Sequence, residues 1–125
     1  MIALRKVRHE PSTLTMWEEK GYGLFAVELL GFTGLAEPAF LAEIMPAVEV
    51  GWRFARQSWG NGFATEAARA ALDFGLVKLG IPEIVSIHQV DNHASGRIVQ
   101  KLGMRFDRDT LDQTCGRLVR VYRTS

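Results

Sequence analysis

The sequence predicts one mixed α/β domain over residues 1–125, a central sheet with helices on both faces. Three observations carry that prediction. Residues 48–68 read as a strand, a tight glycine turn and a helix. The helix shows a face of small residues, which lets it pack close to a sheet. Glu83 to Val90 then reads as a buried strand, and strand–helix–strand order implies a parallel crossover.

The elements can be justified in chain order. Residues 1–20 are weakly patterned, but Pro11-Ser12 is a helix start, and Leu14, Met16 and Trp17 sit on a short helix ending at Lys20-Gly21. Gly23 to Leu30, rich in Leu, Phe and Val, is a strand, and Gly31 to Leu35 a second one close behind. Ala36 to Pro46 holds two prolines and the acidic Glu37 and Glu43, and reads as a loop. Ala47 to Phe54 alternates as a strand. Ala64, Ala67, Ala68, Ala71, Leu72, Gly75 and Leu79 then share one face of a helix that Gly80-Ile81-Pro82 stops. Asp91-Asn92 caps another helix running to Leu102, with Gly103 as its stop. Met104–Thr110 and Leu118–Thr124 are two closing strands, with Gly116 in their connection.

Composition excludes several function classes. The chain is 47% hydrophobic and 23% charged, ordinary for a globular domain. A net charge of +1 gives no bulk electrostatic case for nucleic acid or an anionic membrane. No apolar run approaches the ~18 residues that span a bilayer. Met1-Ile2-Ala3-Leu4 leads into Arg5, Lys6 and Arg8 without the apolar core of a signal peptide, so a cytoplasmic location is expected. The lone Cys115 rules out an internal disulfide framework. His9, His88 and His93 lack metal-ligand spacing, so no metal is expected.

The chemistry-bearing stretch is Gln57-Ser58-Trp59-Gly60-Asn61-Gly62. Glycines let the backbone approach a ligand without a Cβ in the way. The helix behind them opens with free N–H groups and a partial positive charge. Together they form a main-chain cradle for a pyrophosphate. The turn is neither a P-loop with its Lys-Ser/Thr nor a G-x-G-x-x-G fingerprint, which disfavours a nucleotide-binding module.

With these pieces placed, the chain resembles the GNAT superfamily of acyl-CoA-dependent N-acetyltransferases. Gln57-x-x-Gly60-x-Gly62 matches that family's Q/R-x-x-G-x-G/A. Gly51-Trp52-Arg53 and Trp59 to Ala67 are similar to its RimJ/RimL-type subgroup, as is Asn92-His93-Ala94-Ser95 running into Lys101-Leu102-Gly103-Met104. The resemblance implies a mixed, mostly antiparallel sheet and acetyl-CoA as donor to an amine, a protein N-terminus or a small molecule. Two departures stand out. The chain begins too late for the usual first strand and helix, and Val27 to Thr33 looks like a compressed hairpin. A bare sheet edge would follow, and with it a homodimer.

The resemblance assigns roles residue by residue. Val50 and Trp52 main chain would meet the thioester and pantetheine. Gln57, Gly60, Asn61, Gly62, Phe63 and Ala64 would hold the phosphates, with Asn92 on the pantetheine arm and Arg97 toward phosphate. Glu49 is the candidate base, its pKa raised among Val48, Val50 and Trp52; as a plain strand residue it would sit in a solvent-facing salt bridge. The tyrosine that many relatives use as acid is replaced by Val99, and Ser95 resembles the serine proposed for that role. Trp17, Trp52 and Trp59 read as core or rim anchors. Arg117, Arg120 and Arg123 read as the exposed face of the last strand. A shortened, inactive relative that binds CoA or a partner protein is the competing reading.

Overall fold

The computed structural model describes residues 4–8, 11–27, 31–54 and 62–125. Its strands are β1 (Leu4–Lys6), β2 (Leu24–Val27), β3 (Gly31–Ala36), β4 (Glu49–Phe54), β5 (Val85–Gln89), β6 (Arg105–Asp112) and β7 (Arg117–Arg123). Its α-helices are α1 (Pro11–Lys20), α2 (Phe63–Asp73) and α3 (His93–Lys101). The strands form one sheet in the order β1-β2-β3-β4-β5-β7-β6. β4 and β5 pair in parallel, as the crossover requires, and every other neighbouring pair is antiparallel.

Each element forms for a local reason. α2 starts at Gly62, whose φ of 85° only glycine adopts cheaply. Its inner face is Ala64, Ala67, Ala68, Ala71 and Leu72, all buried. One turn on, a Cβ at Gly75 would meet Ile84 Cδ1 at 2.6 Å and Leu35 Cδ1 at 2.9 Å. That is the close helix–sheet approach the small residues announce. The helix passes into a π-helical turn over Phe74–Lys78. The extra residue rotates Leu79 off the buried stripe, and it ends 37% exposed rather than in the core as its spacing suggested. α3 is capped by Asn92, whose side chain accepts from the Ser95 N–H at 3.1 Å, and it buries Val99.

Two apolar clusters sit on either side of the sheet. Trp17 of α1, Leu72 of α2 and Val99 after the α3 cap join Leu35, Val50, Ile84 and Tyr122. Trp17 meets Phe25 and Phe74 edge-on, at centroid separations of 5.1 and 6.1 Å. Leu41 and Ile44, flanking and closing a 3-10 turn at Ala42–Ile44, pack with Val85, Val119 and Val121. Strand alternation explains the split: Val50 faces the first cluster, Glu49 and its partner Val85 the second.

Three expectations need correction or narrowing. A strand does precede the Trp17 helix: Leu4–Lys6 pairs with Phe25–Val27, so the sheet has seven strands and the β2 edge is covered. Three residues were too short a run to show periodicity. The compressed hairpin between β2 and β3 falls on residues 28–30, outside the described residues; its flanks pair in the register Val27↔Gly31. The three C-terminal arginines do not share a face. Arg117 and Arg123 are an even number of residues apart, whereas Arg120 points the other way. Arg123 binds Glu83 and Asp107, and Arg120 grips Asp109 at 2.8 and 3.0 Å. Among the described residues no helix is long and apolar enough to cross a membrane.

Candidate active site

The site begins with a broken ladder. β4 and β5 pair at Glu49↔Val85, where the Val85 N–H donates to the Val48 carbonyl at 2.8 Å. Among the described residues the ladder holds no further pair, and the two strands part. On its other side β4 stays paired with β3 from Glu49 to Phe54. By alternation Val48, Val50 and Trp52 turn their main-chain groups toward β5. At Trp52 there is no strand to receive them, so polar main chain lines an opening in the sheet.

The opening leads to the start of α2. Gly62 is the N-cap of that helix and, having no side chain, offers its first turn no side-chain hydrogen bond. A Cβ built at Gly62 meets no described atom within 4 Å. Between the opening, α2 and α3 lies a hollow of about 280 Å³. Trp52, Phe54, Gly62, Ala64, Thr65, Asn92, Ser95 and Arg97 line it, together with Arg53 and Lys101. Its described charged groups are the three cations Arg53, Arg97 and Lys101. An anion is therefore favoured there on two counts, the cations and the helix terminus.

α3 is tied to β4 across this hollow. Trp52 Nε1–H donates to Ser95 Oγ at 3.1 Å. Asn92 Oδ1 holds the Ser95 N–H, which fixes the same turn of helix. Ser95 is buried, and its hydroxyl keeps its own proton free to donate.

Glu49 stands at the closed end of the opening, on the opposite sheet face from Trp52 and Ser95. Burial raises its pKa to about 7, partly offset by a hydrogen bond from the Ile87 backbone. A carboxyl balanced near neutral pH can take a proton and release it again. Because Glu49 and Ser95 lie on opposite faces, only a group reaching between β4 and β5 could meet both.

The sequence-derived residues divide as follows. Trp52, Gly62, Ala64, Asn92, Ser95 and Arg97 converge on the hollow. Val50 does not line the hollow, and its side chain is fully buried in the core. Phe63 is 43% exposed and does not line the hollow. Gln57, Gly60 and Asn61 lie outside the described residues, as does Trp59. Val99, at the position of the missing tyrosine, is wholly buried and carries no proton chemistry. Sequence reasoning missed Arg53, Thr65 and Lys101. Lys101 was findable: it is four residues from Arg97 and so on the same helix face. Among the described residues no group of three or more His, Cys, Asp or Glu is gathered as a metal site.

An open strand pair above a glycine-led helix is a feature shared with known proteins. A family model described as an acetyltransferase (GNAT) domain matches residues 4–105. The chain belongs to the GNAT acetyltransferase family. A relative by sequence is the uncharacterized protein YkkB of Bacillus subtilis (strain 168), 36% identical over 98 residues. That match spans 72% of this chain and 56% of YkkB, so the chain covers about half of that protein's length. Among solved structures, an acetyltransferase from Agrobacterium tumefaciens str. C58 superposes with a TM-score of 0.69 at 27% identity, over 90% of this chain and 71% of that one. The ribosomal-protein-S5-alanine acetyltransferase of Vibrio fischeri gives 0.76 at 13% identity, over 90% and 66%, a likeness of fold alone. The GNAT fold, with its mixed and mostly antiparallel sheet, is thus shared.

Proposed function

We propose that this chain is an N-acetyltransferase of the RimJ/RimL-type group that moves an acetyl group from acetyl-CoA to a primary amine. One observation carries the reading: the opening between β4 and β5 runs into the cationic hollow at the glycine-led start of α2. Those residues fit acetyl-CoA. A linear arm suits the opening, and phosphates suit Gly62, the first N–H groups of α2, Arg97 and Lys101. When bound, acetyl-CoA supplies an acetyl group activated as a thioester.

The chain's own residues supply the rest. Main-chain groups of Val50 and Trp52 orient the arm, and N–H donors along β4 favour negative charge on an acyl oxygen. Ala64, which lines the hollow, extends the phosphate side, and the motif residues Gln57, Gly60 and Asn61 join it by the family resemblance. Asn92 keeps its amide N–H₂ for the arm while its oxygen caps α3. Glu49, ionised above about pH 7, takes the proton that an ammonium must lose. Ser95, steadied by Trp52, donates a proton from the other face. The bare-edge argument for a homodimer loses its basis, because β1 covers β2.

Calorimetric titration with acetyl-CoA tests the donor side. Micromolar binding is expected, and Gly62→Glu, checked for folding by circular dichroism, should abolish it by placing a carboxylate at the helix mouth. A folded wild-type chain that binds no acetyl-CoA would refute the reading and favour the inactive relative.

A further inference from the structure

The sheet face that carries Glu49 holds a second hollow, of about 480 Å³, within the range of small-molecule sites. Its floor follows from register. Leu24, Gly34 and Gly51 are cross-strand partners in one row, Phe32 and Arg53 in the next, and Ala36 pairs with Glu49 itself. Paired residues share a face, so this row structure puts the floor on the Glu49 side. Gly34 and Gly51 leave it bare, and nothing lies within 4 Å of a Cβ built at Gly51. Met16 of α1 stands at its rim. Leu24 and Phe32 are large apolar side chains left 36% and 42% exposed. Gly51 is two residues from Glu49, about 7 Å along the strand.

We propose that this hollow seats the acceptor, and that the acceptor is a primary amine on an apolar, ring-sized body. The proposal rests on the acetyltransferase reading above and adds its substrate class. An apolar body gains by covering Leu24 and Phe32. The sole charge among the described lining residues is Arg53, which is positive. It repels an ammonium, whereas Glu49 lies four residues away on the same face, about 13 Å off. The amine therefore points to Glu49 and the body toward Phe32. A polyamine is disfavoured, since its second cation would find Arg53 and no described carboxylate in the hollow. In the reaction the C–N bond forms as the thioester C–S bond breaks. Of the two protons leaving the ammonium nitrogen, one goes to the thiolate sulfur and one through Glu49 to solvent.

The test uses 2-phenylethylamine, a phenylalanine-initiated dipeptide amide and spermidine as acceptors, with product followed by mass spectrometry. Saturation-transfer NMR with 2-phenylethylamine reports the hollow independently of acetyl-CoA. At least one aromatic acceptor should exceed spermidine tenfold or more in kcat/KM; the ratio of the two tells a free amine from a chain N-terminus. Phe32→Glu, at an exposed position that should tolerate it, should cut aromatic turnover at least tenfold and weaken the NMR signal while acetyl-CoA binding stays unchanged. Spermidine as the best acceptor, or Phe32→Glu leaving aromatic binding untouched, would overturn the proposal. So would a dimer by light scattering that Phe32→Glu dissociates, with no amine bound, since the face would then be an interface between copies. Loss of acetyl-CoA binding with the amine still bound would instead refute only the donor-side reading.

Discussion

Trp52 of β4 donates its indole N–H to the hydroxyl of Ser95 on α3, at 3.1 Å and forty-three residues apart in sequence. The bond bridges the side of the site where the sheet has come apart. It replaces, with one side-chain contact, part of the cohesion that the missing β4–β5 ladder would have provided. It also fixes the Ser95 oxygen as an acceptor, so the hydroxyl proton must point elsewhere.

Trp52→Phe and Ser95→Ala should therefore be coupled. Each should cost about 1 kcal/mol in urea unfolding, and the double variant less than the sum. Strict additivity would show that the bond contributes nothing to holding α3.

Glu49→Gln should lower acetyl transfer by about 10²-fold or more, the usual scale for losing a general base. Acetyl-CoA affinity should not change. The wild-type rate should rise with pH through about 7, where Glu49 ionises, and the variant should lose that limb. An unchanged rate and pH profile would remove Glu49 from the base role.

Glu49 also predicts a stability trend. Its folded pKa of about 7 lies above its unfolded value, so its contribution is fully present below about pH 4.5 and is lost as pH rises through 7. Glu49→Gln should therefore gain on the wild type progressively as pH rises from about 4.5 through 7, reaching about 3 kcal/mol above that range. Equal denaturant midpoints for the two proteins across that range would contradict the raised pKa.

Gly75→Ala and Gly51→Ala form a contrast. The first drives a methyl into Ile84 and Leu35, both buried, and should cost about 1–3 kcal/mol. The second meets open space and should change thermal stability by less than about 1 kcal/mol. Similar losses at both sites would mean that the close packing at Gly75 is relieved elsewhere.

Arg97 and Lys101 should act as phosphate-side cations. Replacing both by alanine should weaken acetyl-CoA binding about tenfold at low salt, and the deficit should shrink as salt rises. Identical salt dependence in both proteins would place these side chains away from the anion.

The sequence by itself determined the local elements that rest on short-range chemistry. The α2 stripe of alanines, the Asn92 cap, the Gly80 and Gly103 stops and the β4-α2-β5 crossover were legible because periodicity, capping and chirality act over a few residues. Motifs likewise brought Trp52, Gly62, Asn92 and Ser95 to one site. Only the tertiary structure decided the rest. β1 is three residues long, and partnership with β2 rather than pattern makes it a strand. The π-helical turn that expels Leu79 follows the packing of Gly75 on Ile84 and Leu35. The opening of β4 from β5, the opposite facing of Glu49 and Ser95, and the apolar floor shared by Leu24, Phe32 and Gly51 depend on register between strands far apart in the chain. No local propensity encodes register; burial of one face against another selects it.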